Sequence, residues 1–163
     1  MLSGMRVDSA SRHIAALREE VFRAFTDPGM LASWLPPEGM SGHLEHIDAR
    51  PGGSFRLVLT YESGEGGKTT ADTDVTDTRI VALDEPRRVV WEVEFESEDP
   101  AYAGTMFMEW TLDAVQGATE VTVEATDVPS GIDPDDHVRG LTSSLAQLAE
   151  LFENTGRIDL SRI

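Results

Sequence analysis

The stretch from Asp133 to Asn154 constrains this chain more than any other, because it is the one long segment whose start, face and stop are all legible in residue type. Asp133 can accept hydrogen bonds from the first free N–H groups, Pro134 sits where a missing N–H costs nothing, and Asp135 and Asp136 suit the positive end of the helix dipole. Asn154 and Gly156, with Arg157 just beyond, predict the stop. At ~100° per residue, Val138, Leu141, Leu145, Leu148, Ala149 and Phe152 form one narrow apolar stripe. Arg139, Ser143, Gln147, Glu150 and Glu153 are expected to point away. No other segment is a comparably strong helix, so the expected cover for the stripe is a sheet.

The chain ahead of this helix supplies one. Arg6 to Ala15 is β-tolerant and predicts a first strand. Val21, Phe22 and Phe25 then recur at helical spacing and end before Pro28, and a second short helix holds Met30, Leu31 and Trp34 until Pro36 and Pro37 stop it. After Pro37 the period changes from 3.6 to 2. Gly42 to Asp48 predicts a strand, residues 50–53 a glycine turn, and Phe55, Leu57, Leu59 and Tyr61 one face of the next strand. Thr69 to Leu83 is β-prone, but two inward faces are open for it. Val89, Trp91, Val93 and Phe95 alternate with Val90, Glu92, Glu94 and Glu96. Met106, Met108, Trp110 and Leu112 do the same, as do Val121, Val123 and Ala125. The order is strand, two helices, about six strands and a long helix: an α+β antiparallel meander with one apolar and one acidic face. A sheet of that size curls, and a helix laid across its concave side leaves room for a cavity.

With 163 residues, one domain spanning 1–163 is expected, with an ordered core over about 6–155. The formal charge is -17, and no local basic patch offsets it, so nucleic acid and anionic membranes are not expected partners. There are no cysteines, which removes disulfides, thiolate metal sites and a cysteine nucleophile. No apolar run approaches the ~20 residues that span a bilayer, and residues 1–10 contain no signal-peptide apolar region, so the expected location is the cytoplasm.

Residues 20–28 (Glu-Val-Phe-Arg-Ala-Phe-Thr-Asp-Pro), Trp34, residues 50–56 (Arg-Pro-Gly-Gly-Ser-Phe-Arg), and His137 and Gly140 ahead of Ser144 and Leu145 carry a family likeness. Over nearly its whole length the chain resembles the Hsp90-ATPase-activator-homologue branch of the START/Bet v 1-like (SRPBCC) superfamily. The resemblance implies a helix-grip fold, in which a curved antiparallel sheet wraps a C-terminal helix around an apolar pocket. It also implies binding of apolar ligands, while some relatives are cyclases, lipid carriers or co-chaperones. Where many members carry Trp directly after the helix glycine, this chain has Leu141.

Motifs for chemistry are weak. His43 and His46 lie three apart on a predicted strand, which points them to opposite sides and prevents them from closing one metal site. Gly67, Lys68 and Thr69 look like the end of a phosphate loop, but Glu62 stands where its first glycine belongs and a strand follows. No nucleophile-elbow motif is present. Glu92, Glu94, Glu109 and Glu124 alternate with the apolar face and are expected outside. Neither metal nor cofactor is expected.

The expected ligand-binding lining is therefore the inner face itself: Phe55, Leu57, Tyr61, Trp91, Val93, Met106, Met108 and Trp110, with Leu141 and Leu145 from the helix. His137 and Ser144 on the helix flank and His46 on its strand are the expected polar contributors, and Trp34 is expected at the mouth. These residues predict non-catalytic binding of a small apolar or amphipathic molecule. A cyclase or isomerase using a cavity histidine or acid is the enzymatic alternative. A co-chaperone-like module with a chaperone partner is a third, implied only by the family resemblance.

Overall fold

The computed structural model describes residues 6–161, with side-chain surroundings through residue 153. Seven strands form one antiparallel sheet: β1 (Val7–Ile14), β2 (Met40–Ile47), β3 (Ser54–Tyr61), β4 (Thr73–Asp84), β5 (Arg88–Phe95), β6 (Met106–Val115) and β7 (Ala118–Thr126). Their spatial order is β1-β7-β6-β5-β4-β3-β2, so the chain's first strand pairs with its last and the meander between them runs to the opposite edge. Between β1 and β2 lie α1 (Arg18–Arg23) and α2 (Pro28–Trp34), and α3 (Pro134–Ser161) follows β7. No helix among the described residues is long and apolar enough to cross a membrane.

Local chemistry sets these elements. Asp27 caps α2 by accepting from the Met30 N–H at 3.1 Å, and Pro28 occupies the first helical position. Asp133 accepts from the Asp136 N–H at 3.0 Å and starts α3 as its sequence predicts. The turn between β2 and β3 requires its glycines: Gly52 has φ of 85°, and a Cβ on Gly53 would fall 2.0 Å from the Asp48 carbonyl oxygen. Arg50 ties this turn to Asp48 at 2.8 Å.

Two bulges bend the sheet, between Leu44 and His46 and between Ile80 and Ala82. The first one changes which way its histidines point. His43 pairs with Val58 and His46 with Arg56, so both stand exposed on the outer face rather than on opposite faces. The extra residue resets the alternation that the sequence pattern assumes.

α3 lies across the concave side, against β1 and α2. Leu141, Leu145, Leu148 and Ala149 are buried there. Val138 is instead exposed, on an outer groove that α3 forms beside Glu38. Ser143 and Gln147 do not face away. The Ser143 hydroxyl accepts from the Glu38 N–H at 2.8 Å, and Gln147 Nε2 donates to the carbonyls of Trp34 and Pro36, tying the segment after α2 onto the helix. The helix also runs past Asn154 and Gly156 to Ser161. A single helical glycine costs only ~1 kcal/mol and no proline follows it, so those residues do not stop it.

Leu145 is 1 % exposed and packs within the main cluster. Leu145→Ala should cost ~2 to 5 kcal/mol in denaturant unfolding. A loss below ~1 kcal/mol would mean that α3 is not central to the core.

Candidate functional site

The interior is solid at one end and hollow at the other. Under α1 and α2, five rings meet largely edge to face: Phe25 on Trp34 at 5.0 Å, Trp34 on Trp110 at 5.3 Å, Trp110 on Trp91 at 5.3 Å, and Trp91 on Phe55 at 5.2 Å. Trp34 and Trp110 are fully buried in this stack. Trp91 and Phe55 are its last members and turn one side to a cavity of about 940 Å³ between the sheet and the first turns of α3.

Ten of the residues expected to line a pocket line this cavity: Phe55, Leu57, Tyr61, Trp91, Val93, Met106, Met108, His137, Leu141 and Ser144. Four do not. Trp34 is not at a mouth but deep in the aromatic stack, where its Nε1 donates to the Ala24 carbonyl at 2.9 Å. Trp110 lies one layer below the cavity floor, and Leu145 packs one turn too far along α3. His46 stands on the outer face, 3.4 Å from the Ser54 hydroxyl, because of the bulge. Ser144 reaches the lining, but its hydroxyl donates to the Leu35 carbonyl at 2.6 Å and so works as a tie.

Two polar clusters stand in or beside the cavity. On the sheet side, Lys68 folds in from the loop between β3 and β4. Its Nζ donates to Asp74 Oδ2 at 2.7 Å and to the Tyr61 hydroxyl at 3.0 Å, and lies 5.6 Å from the centre of the Phe95 ring. The Tyr61 hydroxyl also bonds Asp74, and Asp74 receives the Lys68 backbone N–H at 2.7 Å. Burial alone would pull the lysine's pKa down, but its bonds and charge contacts with Asp74 and Tyr61 outweigh that and raise it. Burial raises the Tyr61 phenol, against the pull of Lys68. The lysine is thus a held cation whose charge Asp74 balances, with none of the glycine cradle that a phosphate site needs. Thr76 and Thr78 continue this polar wall along β4.

On the helix side, His137 Nδ1 lies 2.7 Å from Asp8 Oδ2. Asp8 is buried on β1 and also receives Arg6 through two bonds, at 2.8 and 3.1 Å. Burial pushes the Asp8 carboxyl up, yet the Arg6 and His137 hydrogen bonds prevail and hold it below the usual carboxylate range. Burial pushes the His137 imidazole down, and Asp8 offsets this only in part, with Arg6 and Lys68 adding to the fall. The two shifts are consistent, because Asp8 draws on two donors while the histidine has only a carboxylate already shared with Arg6. An ionised carboxylate only accepts, so Nδ1 carries the hydrogen and Nε2 is the bare nitrogen.

Lys68, Asp74 and Asp8 were not expected in the interior. Asp74, Thr76 and Thr78 alternate at period 2 as a strand face would, but all three are polar, so hydropathy could not tell inside from outside. Asp8 gave no signal beyond its place in β1. Among the described residues no three of His, Asp and Glu stand close enough to hold a metal ion.

The family model for activator of Hsp90 ATPase homolog 1-like protein matches residues 15–153. Comparison with curated proteins gives no match. Among solved structures, a protein from Chromobacterium violaceum is similar at 28 % identity and a TM-score of 0.79, covering 90 % of this chain and 96 % of that one. The AHSA1 protein from Silicibacter pomeroyi aligns with a TM-score of 0.74 at 18 % identity, covering 92 % and 99 %. A protein from Arthrobacter aurescens aligns with a TM-score of 0.76 at 15 % identity, covering 91 % and 86 %. The last two likenesses are of fold alone, and they agree with the helix-grip arrangement.

The depressed histidine sets a sign for pH dependence. Between its folded value and the ordinary ~6.5, the unfolded chain binds more protons than the folded one, so stability is full above ~6.5 and is lost as pH falls through the folded value. Asp8 acts in the same sense below its ordinary ~3.9. Melting temperature should therefore fall from about pH 7.5 to about pH 5.5, and His137→Gln should flatten that slope. An unchanged slope in the variant would place the titrating group elsewhere.

Proposed function

The chain belongs to the activator of Hsp90 ATPase homolog 1-like family, and on that premise we propose that it binds a small apolar or amphipathic molecule in the cavity between the sheet and α3, without chemistry of its own. The observation that carries this reading is the hollow itself. Its floor and walls are Phe55, Leu57, Trp91, Val93, Met106 and Met108, and its volume of about 940 Å³ suits one drug-sized ligand. Interiors normally close such space, since voids forfeit packing contacts. Methionine side chains rearrange at little cost and let an apolar wall adapt to its occupant. A ligand burying ~300 Å² of apolar surface gains ~7.5 kcal/mol at ~25 cal/mol per Å², before the costs of association.

Gly140 supports the same reading. It lies within α3, lines the cavity, and a Cβ there would meet no atom within 4 Å. The helix forgoes ~1 kcal/mol of propensity at a position where a side chain has room. An isomerase or cyclase is the second reading, favoured by one observation: His137 is half-buried, depressed in pKa and backed by Asp8.

Tryptophan fluorescence tests the binding. Fatty acids, flavonoids and small polyketide-like aromatics should be titrated, with a saturable change expected from at least one class. Trp91→Phe should remove most of that change, whereas Trp34→Phe and Trp110→Phe should keep it, because only Trp91 of the three lines the cavity. Gly140→Phe should abolish binding while the fold persists, and Gly140→Ala should raise stability by ~0.5 to 1 kcal/mol. A flat response across the panel in folded, ligand-free protein would refute the reading.

A further inference from the structure

The proposed binding leaves open what kind of molecule the cavity takes, and two features of the lining bear on that. The first is the open nitrogen of His137. Its backbone N–H is spent on the Asp133 carbonyl at 2.9 Å and its Nδ1 on Asp8 at 2.7 Å, while Nε2 has no hydrogen-bond partner among the described residues. Nor is that atom sealed away: among the described residues the one fully buried side-chain nitrogen without a partner is Trp110 Nε1, and His137 lines the cavity. A bare ring nitrogen facing a hollow accepts a hydrogen bond and cannot give one.

The second feature is charge. Four exposed carboxylates in the lining, Glu38, Glu62, Asp133 and Asp136, stand against one guanidinium, Arg139, which is already bonded to Asp136. Inside, Lys68 is matched by Asp74, and Asp8 by Arg6. With a chain charge of -17 behind it, this opening disfavours anions.

Resting on the binding reading above, we propose that the cavity selects neutral ligands that carry a hydroxyl, whose hydrogen His137 Nε2 receives, and that Asp8 is the positioning residue that keeps this nitrogen proton-free. The selection is one of polarity as well as shape. A carboxylate offers no hydrogen to Nε2 and meets the acidic rim, whereas a plain hydrocarbon leaves the nitrogen desolvated and unpaired. The groups that act on the charge of His137 are Asp8 on β1, Arg6 just before that strand and Lys68 across the cavity, and the other titratable groups of the lining are Asp133 before α3, Asp136 and Arg139 on α3, and Asp74 and Tyr61 beside Lys68. On acidification the ring becomes imidazolium, Nε2 becomes a donor, and the preference turns toward acceptors.

Three probes with one apolar body separate these statements: naphthalene, 2-naphthol and 2-naphthoate, titrated calorimetrically into the full chain. At neutral pH, 2-naphthol should bind about three- to tenfold more tightly than naphthalene, the range of one hydrogen bond, and 2-naphthoate more weakly than either. In Asp8→Asn the carboxamide can offer its own N–H to Nδ1 and turn the hydrogen over to Nε2. The 2-naphthol advantage should then shrink and the 2-naphthoate deficit narrow, and the ¹⁵N signals of His137 should report the exchanged tautomer. Should Asp8→Asn fail to fold, the wild-type chain serves, because lowering the pH until its His137 signals show imidazolium must move the preference the same way. If naphthalene binds but 2-naphthol gains nothing over it, or if its advantage survives protonation of His137, this inference is overturned and the binding reading stands. If none of the three binds, the binding reading fails and this inference with it.

Discussion

The edge-to-face contact between Trp110 and Trp91 is where the interior changes from packed to open. Five rings from the turn after α1, from α2, β3, β5 and β6 fill one end of the curled sheet, and the two short helices are held there because Phe25 and Trp34 belong to the same stack. With that end rigid, α3 can rest on β1 and α2 rather than sink into the concave face. The other end is left unfilled, with Trp91 and Phe55 as its floor. A cavity of this size is tolerable only beside a core that is dense elsewhere, since close packing is what returns the cost of ordering the chain. The binding site and the stability of the fold thus share one aromatic column.

The segment after α2 is fastened by polar rather than apolar means. Ser143, Ser144 and Gln147 of α3 bond to the backbone of Glu38, Leu35, Trp34 and Pro36. Residues 35 and 37–40 also line the cavity, so these bonds hold one of its edges. A backbone that runs across an opening cannot bury much apolar surface, and side-chain donors and acceptors satisfy it instead.

Most of the fold is legible because periodicity is a consequence of burial. Trp91 and Val93, or Met106, Met108 and Trp110, alternate with outward acids since each strand has one wet face and one dry one, and Asp133 with Pro134 marks the start of α3 on local chemistry alone. The departures have physical causes. At His43 and His46 an extra residue shifts the alternation by one, which no count of spacing detects in advance. Val138 fits the helix stripe, but it lies on an outer groove beside Glu38 rather than under the sheet. Along β4 the inner face reads Asp74, Thr76 and Thr78 before the apolar Ile80, and a rule that equates inward with apolar has little to grip. That ambiguous stretch is the polar wall of the cavity, which is where local rules are expected to yield to function.

Buried charges make the same point from energetics. Lys68 with Asp74, and Arg6 with Asp8, are ion pairs, the second joined by the neutral His137 through Nδ1, in places where well-packed hydrocarbon would cost the fold no more. Their value lies in direction. A paired lysine keeps its charge without drawing anions through the opening, and a carboxylate that only accepts decides which nitrogen of His137 keeps its hydrogen. Other acids are spent differently, on the wet face, where Arg56 meets Glu45, Asp77 and Glu96, and Arg79 meets Glu92. Such exposed pairs contribute little to stability. The same residue types therefore do two kinds of work in this fold: outside they keep a sheet face hydrated, and inside, where water screens them less, two small clusters fix the polarity of an otherwise apolar hollow.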